Sequence, residues 1–287
     1  MDVLVRSSLA SEDCDCLLLE GLFALLKQVG KYAEGEAVAV RMYSLLRGSS
    51  LGVAADADPM RLIEASTNVG AILQMQGKHR EALPYCEECL EISLRTLADA
   101  SASSSTSTSS SSSASASLVT ASAYNNLASV LHKLGGEDKR NLDKAYSHLK
   151  TSLSILESKY GSGHLLTGAT LNNLGALLQD MENRRDEALE CLERSLSVFV
   201  STKAIGENNK STATTCFNIG ALHRKMMNMS MAKKYFERCC EIRKRVLGRD
   251  HADTRKAKDT LCSIQAAIDD MAAVAADTRK ALDALFF

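Results

Sequence analysis

Apolar residues in this chain recur at helical spacing in paired stretches. Leu62, Ile63, Val69, Ile72 and Leu73 form one helical face; Gly77-Lys78 breaks it; Ala82, Leu83, Cys86, Leu90 and Ile92 form a second. The pair predicts a helical hairpin. The same alternation returns with Leu127, Val130 and Leu131 followed by Ala145, Tyr146, Leu149, Leu153 and Ile155. It returns again with Leu171, Leu174, Leu177 and Leu178 followed by Ala188, Leu189, Leu192, Leu196 and Val198. A fourth copy has Phe217, Ile219 and Leu222 followed by Ala232, Tyr235, Phe236 and Ile242. Strand signals are nearly absent. The pattern predicts an all-α chain of stacked units, and a period of this kind marks a solenoid that exposes a long surface.

Each first helix carries one phrase: S-T-N-V-G-A-I-L from Ser66, A-Y-N-N-L-A-S-V-L from Ala123, T-L-N-N-L-G-A-L-L from Thr170 and C-F-N-I-G-A-L-H from Cys216. An asparagine (Asn68, Asn126, Asn173, Asn218) stands two residues before a small one (Gly70, Ala128, Gly175, Gly220), and a second small residue follows in the next helix (Ala82, Ala145, Ala188, Ala232). Small residues at these points predict close helix crossings, because a larger side chain would push the helices apart. Gly161, Gly206 and Gly248 each lie twelve residues before the asparagine-equivalent position and should end second helices in the left-handed region.

These residues resemble the tetratricopeptide repeat. The longer period of about 42 to 47 residues, the N-N-L-A/G phrase and the connectors Gly161-Ser-Gly-His164 and Gly248-Arg-Asp-His251 are similar to the kinesin-light-chain type of that repeat. The resemblance implies a right-handed superhelical solenoid of antiparallel helix pairs over residues 16–287, behind a tail at 1–15. Repeats are expected at about 17–50, 60–98, 119–161, 165–206, 210–248 and 252–287. A Ser-rich tract at 99–118 is too poor in large apolar side chains to offset ordering entropy, and is expected to be a disordered insertion.

The resemblance also implies a function. First helices line the concave face, and a groove-facing asparagine offers both a donor and an acceptor to the backbone of an extended peptide. The candidate binding residues are Asn68, Asn126, Asn173 and Asn218, joined by Asn125 and Asn172 from the doubled phrase and by Arg224 and Lys225 just beyond Asn218. The competing role for these amides is to brace neighbouring helices, because a structural amide at a repeat interface would recur in the same way. The lysines and second asparagine of a chaperone-type carboxylate clamp are missing. Thr67 and Ala71, Asn125 and Ser129, and Asn172 and Ala176 stand there instead.

Composition narrows the classes. No phosphate-binding Gly-rich loop, H-E-x-x-H or G-x-S-x-G occurs, so no catalytic residue, cofactor or metal site is expected. The six histidines are scattered over different repeats and connectors, and His164 and His251 share one repeat position, as turn residues do. The nine cysteines are read as small inward-facing fillers and point to a reducing, cytoplasmic location. Apolar runs never reach the length of a membrane span. Net charge is −1, yet residues 221–258 hold 12 basic and 4 acidic side chains. The first reading is a non-catalytic scaffold or adaptor for a protein or peptide partner, without nucleic acid or membrane insertion. The alternatives are a cargo adaptor of a microtubule motor, and nucleic-acid or lipid binding through the basic C-terminal repeat.

Overall fold

A computed structural model describes residues 16–48, 58–102, 110–202 and 208–286. Every regular element among them is a helix: α1 (Cys16–Val29), α2 (Tyr32–Arg47), α3 (Pro59–Met75), α4 (His79–Ala102), α5 (Ser110–Leu134), α6 (Arg140–Tyr160), α7 (Leu165–Leu178), α8 (Arg185–Ser201), α9 (Lys210–Lys225), α10 (Met229–Val246) and α11 (Ala252–Phe286). The chain divides into two compact units, Met1–Lys159 and Tyr160–Phe287. The expected tail at 1–15 lies outside the described residues.

In the first unit, consecutive helices from α1 to α5 pack against their neighbours, and α3 also touches α5. In the second unit, α7 to α11 do the same, with α7 touching α9. Each unit is therefore built of helix pairs whose first helices also meet one another. Chemistry at the helix ends explains their boundaries. Asp58 caps α3, its carboxylate accepting from the Met60 amide at 3.0 Å, with Pro59 in the first turn. Asn209 caps α9 and Asn228 caps α10 in the same manner. Gly161 and Gly248 hold φ of +83° and +89°, the left-handed backbone the connectors require. His164 and His251 then each take a backbone amide on Nδ1, from Leu166 at 3.3 Å and Asp253 at 3.1 Å. The recurrent connector histidine is thus a helix cap.

The small residues sit where helices cross. A Cβ on Gly175 would lie 2.6 Å from Leu192 Cγ, and one on Gly220 would lie 2.9 Å from the Phe236 ring. Gly70 would meet Cys86 Sγ at 3.0 Å. Cores form around these points. In the second unit Phe236 and Ala232 pack with Ile264 of α11, while Ala213, Cys216, Cys239, Ile242 and Ala257 form a neighbouring cluster.

The serine tract departs from expectation. Residues 99–102 belong to α4 and 110–118 to α5, so these parts of the supposed insertion at 99–118 are helical; residues 103–109 lie outside the described residues. The physical reason is tertiary. The two extended helices pack on one another, and Ala116 and Ser117 are buried. Hydroxyls that would compete for the backbone turn inward along their own helix. Ser117 Oγ donates to the Ser113 carbonyl at 2.8 Å and Thr120 Oγ1 to the Ala116 carbonyl at 2.8 Å.

Candidate functional site

The asparagines stand where the first helices meet. Asn68 on α3 and Asn126 on α5 are half-buried, and among the described residues neither side-chain amide makes a hydrogen bond. Asn126 lines a hollow of about 480 Å³ between α3 and α5, walled by Ile63, Thr67, Leu118, Val119 and Ala123, with Asp58, Arg61 and Glu64 at its rim. A smaller chamber of about 130 Å³ adjoins it, bounded by Thr67, Ala71, Gln74, Ala123 and Asn126, with Cys86 and Cys89 of α4 forming its floor. Thr67 Oγ1 and Cys89 Sγ contact each other at 3.3 Å. Ser129 donates to Gln74 Oε1 at 3.2 Å, tying α5 to α3. Burial pushes the Cys86 thiol up to about 12, so it is a neutral, soft surface at physiological pH.

In the second unit the amides are closed on themselves. Asn218 Nδ2 on α9 donates to Asn172 Oδ1 on α7 at 3.0 Å, and Thr215 Oγ1 donates to the same oxygen at 3.1 Å. Asn172 Nδ2 in turn reaches Asn173 Oδ1 at 3.4 Å. Asn172 and Asn218 therefore tie α7 to α9, the bracing role that competes with peptide binding at these positions. The reason is distance, since neighbouring first helices bring their phrases within hydrogen-bonding reach. Asn125 in the first unit is likewise engaged with neighbouring groups.

The two basic candidates also part company. Lys225 Nζ lies 2.8 Å from Asp180 Oδ1 and 3.3 Å from the Gln179 carbonyl, so a carboxylate of its own chain already holds it. Arg224, by contrast, is exposed on the last turn of α9. A polar hollow of about 740 Å³ at the α7–α8 turn is walled by residues such as Asp180, Glu182, Asn183 and Asp186, and by none of the candidate binding asparagines.

Two recurrent contacts escape the reading of hydrophobic faces. Ser152 Oγ donates to the Ala121 carbonyl at 2.8 Å, Ser195 Oγ to the Gly168 carbonyl at 2.7 Å, and Cys89 Sγ to the Ile63 carbonyl at 3.8 Å. In three pairs the second helix is thus tied to the first at one shared register, five residues before the asparagine. The signal was present as Ser or Cys three residues after the apolar residue at each crossing. The other contact is a glutamine six residues after the asparagine: Gln74 meets Ser129, and Gln179 Nε2 donates to the Asn218 carbonyl at 3.3 Å.

His223 is the odd member of its register. Leu73, Leu131 and Leu178 are buried at this position in the other first helices. The imidazole is also buried, stacks on Tyr235 with ring centroids 5.7 Å apart, and leaves both ring nitrogens without a hydrogen bond among the described residues. Burial holds its pKa below the usual histidine range, with Glu193 opposing the shift. No group of His, Cys, Asp and Glu suited to a metal ion occurs among the described residues. Nor is any described helix long and apolar enough to cross a membrane.

Two tetratricopeptide repeat models match the sequence, one over residues 119–199 and the other over 62–101 and 212–253, together more than half of the chain. The doubled asparagine phrases and both G-x-x-H connectors fall inside or between these segments. No curated protein sequence matches the chain. Among solved structures, BtubC (BKLC) from P. vanneervenii is similar with a TM-score of 0.56 at 17% identity, over 79% of this chain and 78% of that one. A Rap protein complexed with Competence and Sporulation Factor has a TM-score of 0.51 at 12% identity, over 93% and 66% of the two chains. The apo form of RapI also gives 0.51, at 11% identity over 92% and 89%. At these identities the likeness is one of fold. The sequence matches, the recurrent Gly/Ala crossings and the stacked helix pairs place the chain in the tetratricopeptide repeat family.

Proposed function

We propose that this chain is a non-catalytic scaffold that binds an extended peptide segment along its first helices. The observation that carries the reading is the pair Asn68 and Asn126: half-buried amides at equivalent positions of neighbouring first helices, one lining an apolar hollow, and neither hydrogen-bonded among the described residues. An amide of this kind matches the alternating N–H and C=O of an extended main chain, one contact per repeat. Asn125, Asn172, Asn173 and Asn218 complete the recurring set. Asn172 and Asn218 bond each other across α7 and α9, and so set the spacing of those first helices. Arg224 supplies positive charge at the end of α9, whereas Lys225 is already paired. Cys86, Cys89, Cys191, Cys216 and Cys239 are buried free thiols, which suits a cytoplasmic protein. The Rap protein noted above is complexed with Competence and Sporulation Factor, in keeping with a fold that takes a partner.

A random-peptide phage library panned on the purified protein tests the reading. Enriched peptides are expected, and Asn68→Ala/Asn126→Ala should weaken them roughly fivefold or more while melting stays unchanged. Asn172→Ala/Asn218→Ala should instead lower the melting temperature. The reading fails if no peptide is enriched, or if the first double variant loses stability and keeps its affinity.

A further inference from the structure

Helix crossings in this protein are filled from the second helix by one residue. Leu149, Leu192 and Phe236 occupy that position in three pairs, all buried. In the α3–α4 pair it is Cys86, a much smaller side chain. The consequence is visible at the facing glycines. Where a Cβ on Gly175 or Gly220 would collide with Leu192 or Phe236 below 3.0 Å, one on Gly70 would meet only Cys86 Sγ, at 3.0 Å. The space left is the 130 Å³ chamber under the α3–α5 hollow. Its other walls are short as well, Ala71 and Ala123, and its polar members are mostly spoken for: Thr67 and Cys89 contact each other, and Gln74 accepts from Ser129. Asn126 lines both chamber and hollow, and its amide is the exception.

A closed apolar cavity of about 150 Å³ accommodates a benzene molecule. A chamber of 130 Å³ that opens into an apolar hollow therefore takes a group of about that bulk, the size of a branched aliphatic side chain. Ile63, Leu118 and Val119 line the approach to it. We propose that this chamber is a specificity pocket for one leucine-sized apolar side chain of the bound peptide, with the Asn126 amide holding the adjacent main chain. The proposal rests on the peptide-binding reading above and goes further, naming which side chain is read and where. It also assigns Cys86 a use in recognition: the residue is small at a position that three other pairs fill.

The test is residue preference. A random-peptide phage library is panned in parallel on the full chain, on Cys86→Leu and on Ala71→Val. Leucine is tolerated at this crossing in two other pairs, so the first variant should fold, and thermal melting checks it; the second fills the chamber from its half-buried rim and serves if the first melts early. Wild type should enrich peptides that share Leu, Ile or Met at one position. Replacing that residue by Ala in a synthetic peptide should cost roughly tenfold or more in affinity for wild type. The same replacement should cost little on either filled variant, which no longer has the pocket. The pocket is overturned, and the scaffold reading kept, if peptides are enriched without a shared apolar position or if the filled variants retain the same preference. If wild type enriches no peptide, both fall together.

Discussion

At the scale of single residues, the most exposed inconsistency is His223. A buried imidazole with neither nitrogen bonded costs about 1–3 kcal/mol for each unsatisfied polar group. Equivalent positions carry leucine, so His223→Leu should stabilise the protein by about 1 kcal/mol or more, seen as a higher midpoint in urea. The pH dependence follows in sign. Burial depresses the folded pKa, so the unfolded state takes up the proton first as pH falls. Stability is fully present above the unfolded value of about 6.5 and declines as pH drops toward the folded one. Burial lowers the His148 imidazole too, with Lys144 acting in the same sense and Glu87 against it, so part of this slope will survive in the variant. Melting curves from pH 8 to 5 should show a shallower decline for His223→Leu than for wild type. Identical slopes would mean the imidazole finds partners in solution.

At the scale of helices, the small residues decide how closely pairs approach. Gly175 faces Leu192 so tightly that even a methyl group would lie 2.6 Å from Leu192 Cγ. Gly175→Leu should therefore overpack the α7–α8 crossing and cost about 1–3 kcal/mol or more, read from chemical denaturation. Circular dichroism should still show helix, because the substitution favours helix locally and harms only the packing. This crossing was legible in advance from the N-N-L-G phrase, since a glycine inside a helix has a propensity cost that packing must repay. The partners of the amides were not legible. One sequence pattern served Asn126, which faces a hollow, and Asn218, which bonds Asn172 across two helices. The residue offered by the preceding first helix differs, Thr67 toward Asn126 and Asn172 toward Asn218.

At the scale of the molecule, each unit carries one feature whose contacts composition does not show. In the first unit the serine tract continues the α4–α5 pair as far as Ala102 on one side and from Ser110 on the other. Replacing residues 103–109 by a Gly-Ser segment of equal length should leave the melting temperature nearly unchanged. Replacing 110–118 in the same way should lower it clearly. Glycine costs about 1 kcal/mol per helical position relative to alanine, and Ala116 and Ser117 would lose buried contacts. Equal effects from the two replacements would show that the start of α5 contributes nothing to stability. In the second unit the basic excess near the C-terminus is partly spent internally: Arg243 donates to the Asp253 carbonyl at 2.8 Å and lies over the Phe217 ring, and Lys225 pairs with Asp180.

By itself the sequence determined the helical class, the repeat period, the close crossings and the capped connectors. Each of these is set within one or two turns of chain, by side-chain size, by left-handed glycine or by a cap reaching its own helix. The tertiary structure decided that Asn218 bonds Asn172 across α7 and α9, whereas Asn126 lines a hollow. It made residues 99–102 and 110–118 helical by packing α4 and α5 on one another. It also left a chamber beside Cys86, because a cysteine is a void only relative to what its neighbours fail to fill. All three outcomes depend on distances between segments far apart in the chain, and a repeating pattern read along the chain carries no measure of those distances.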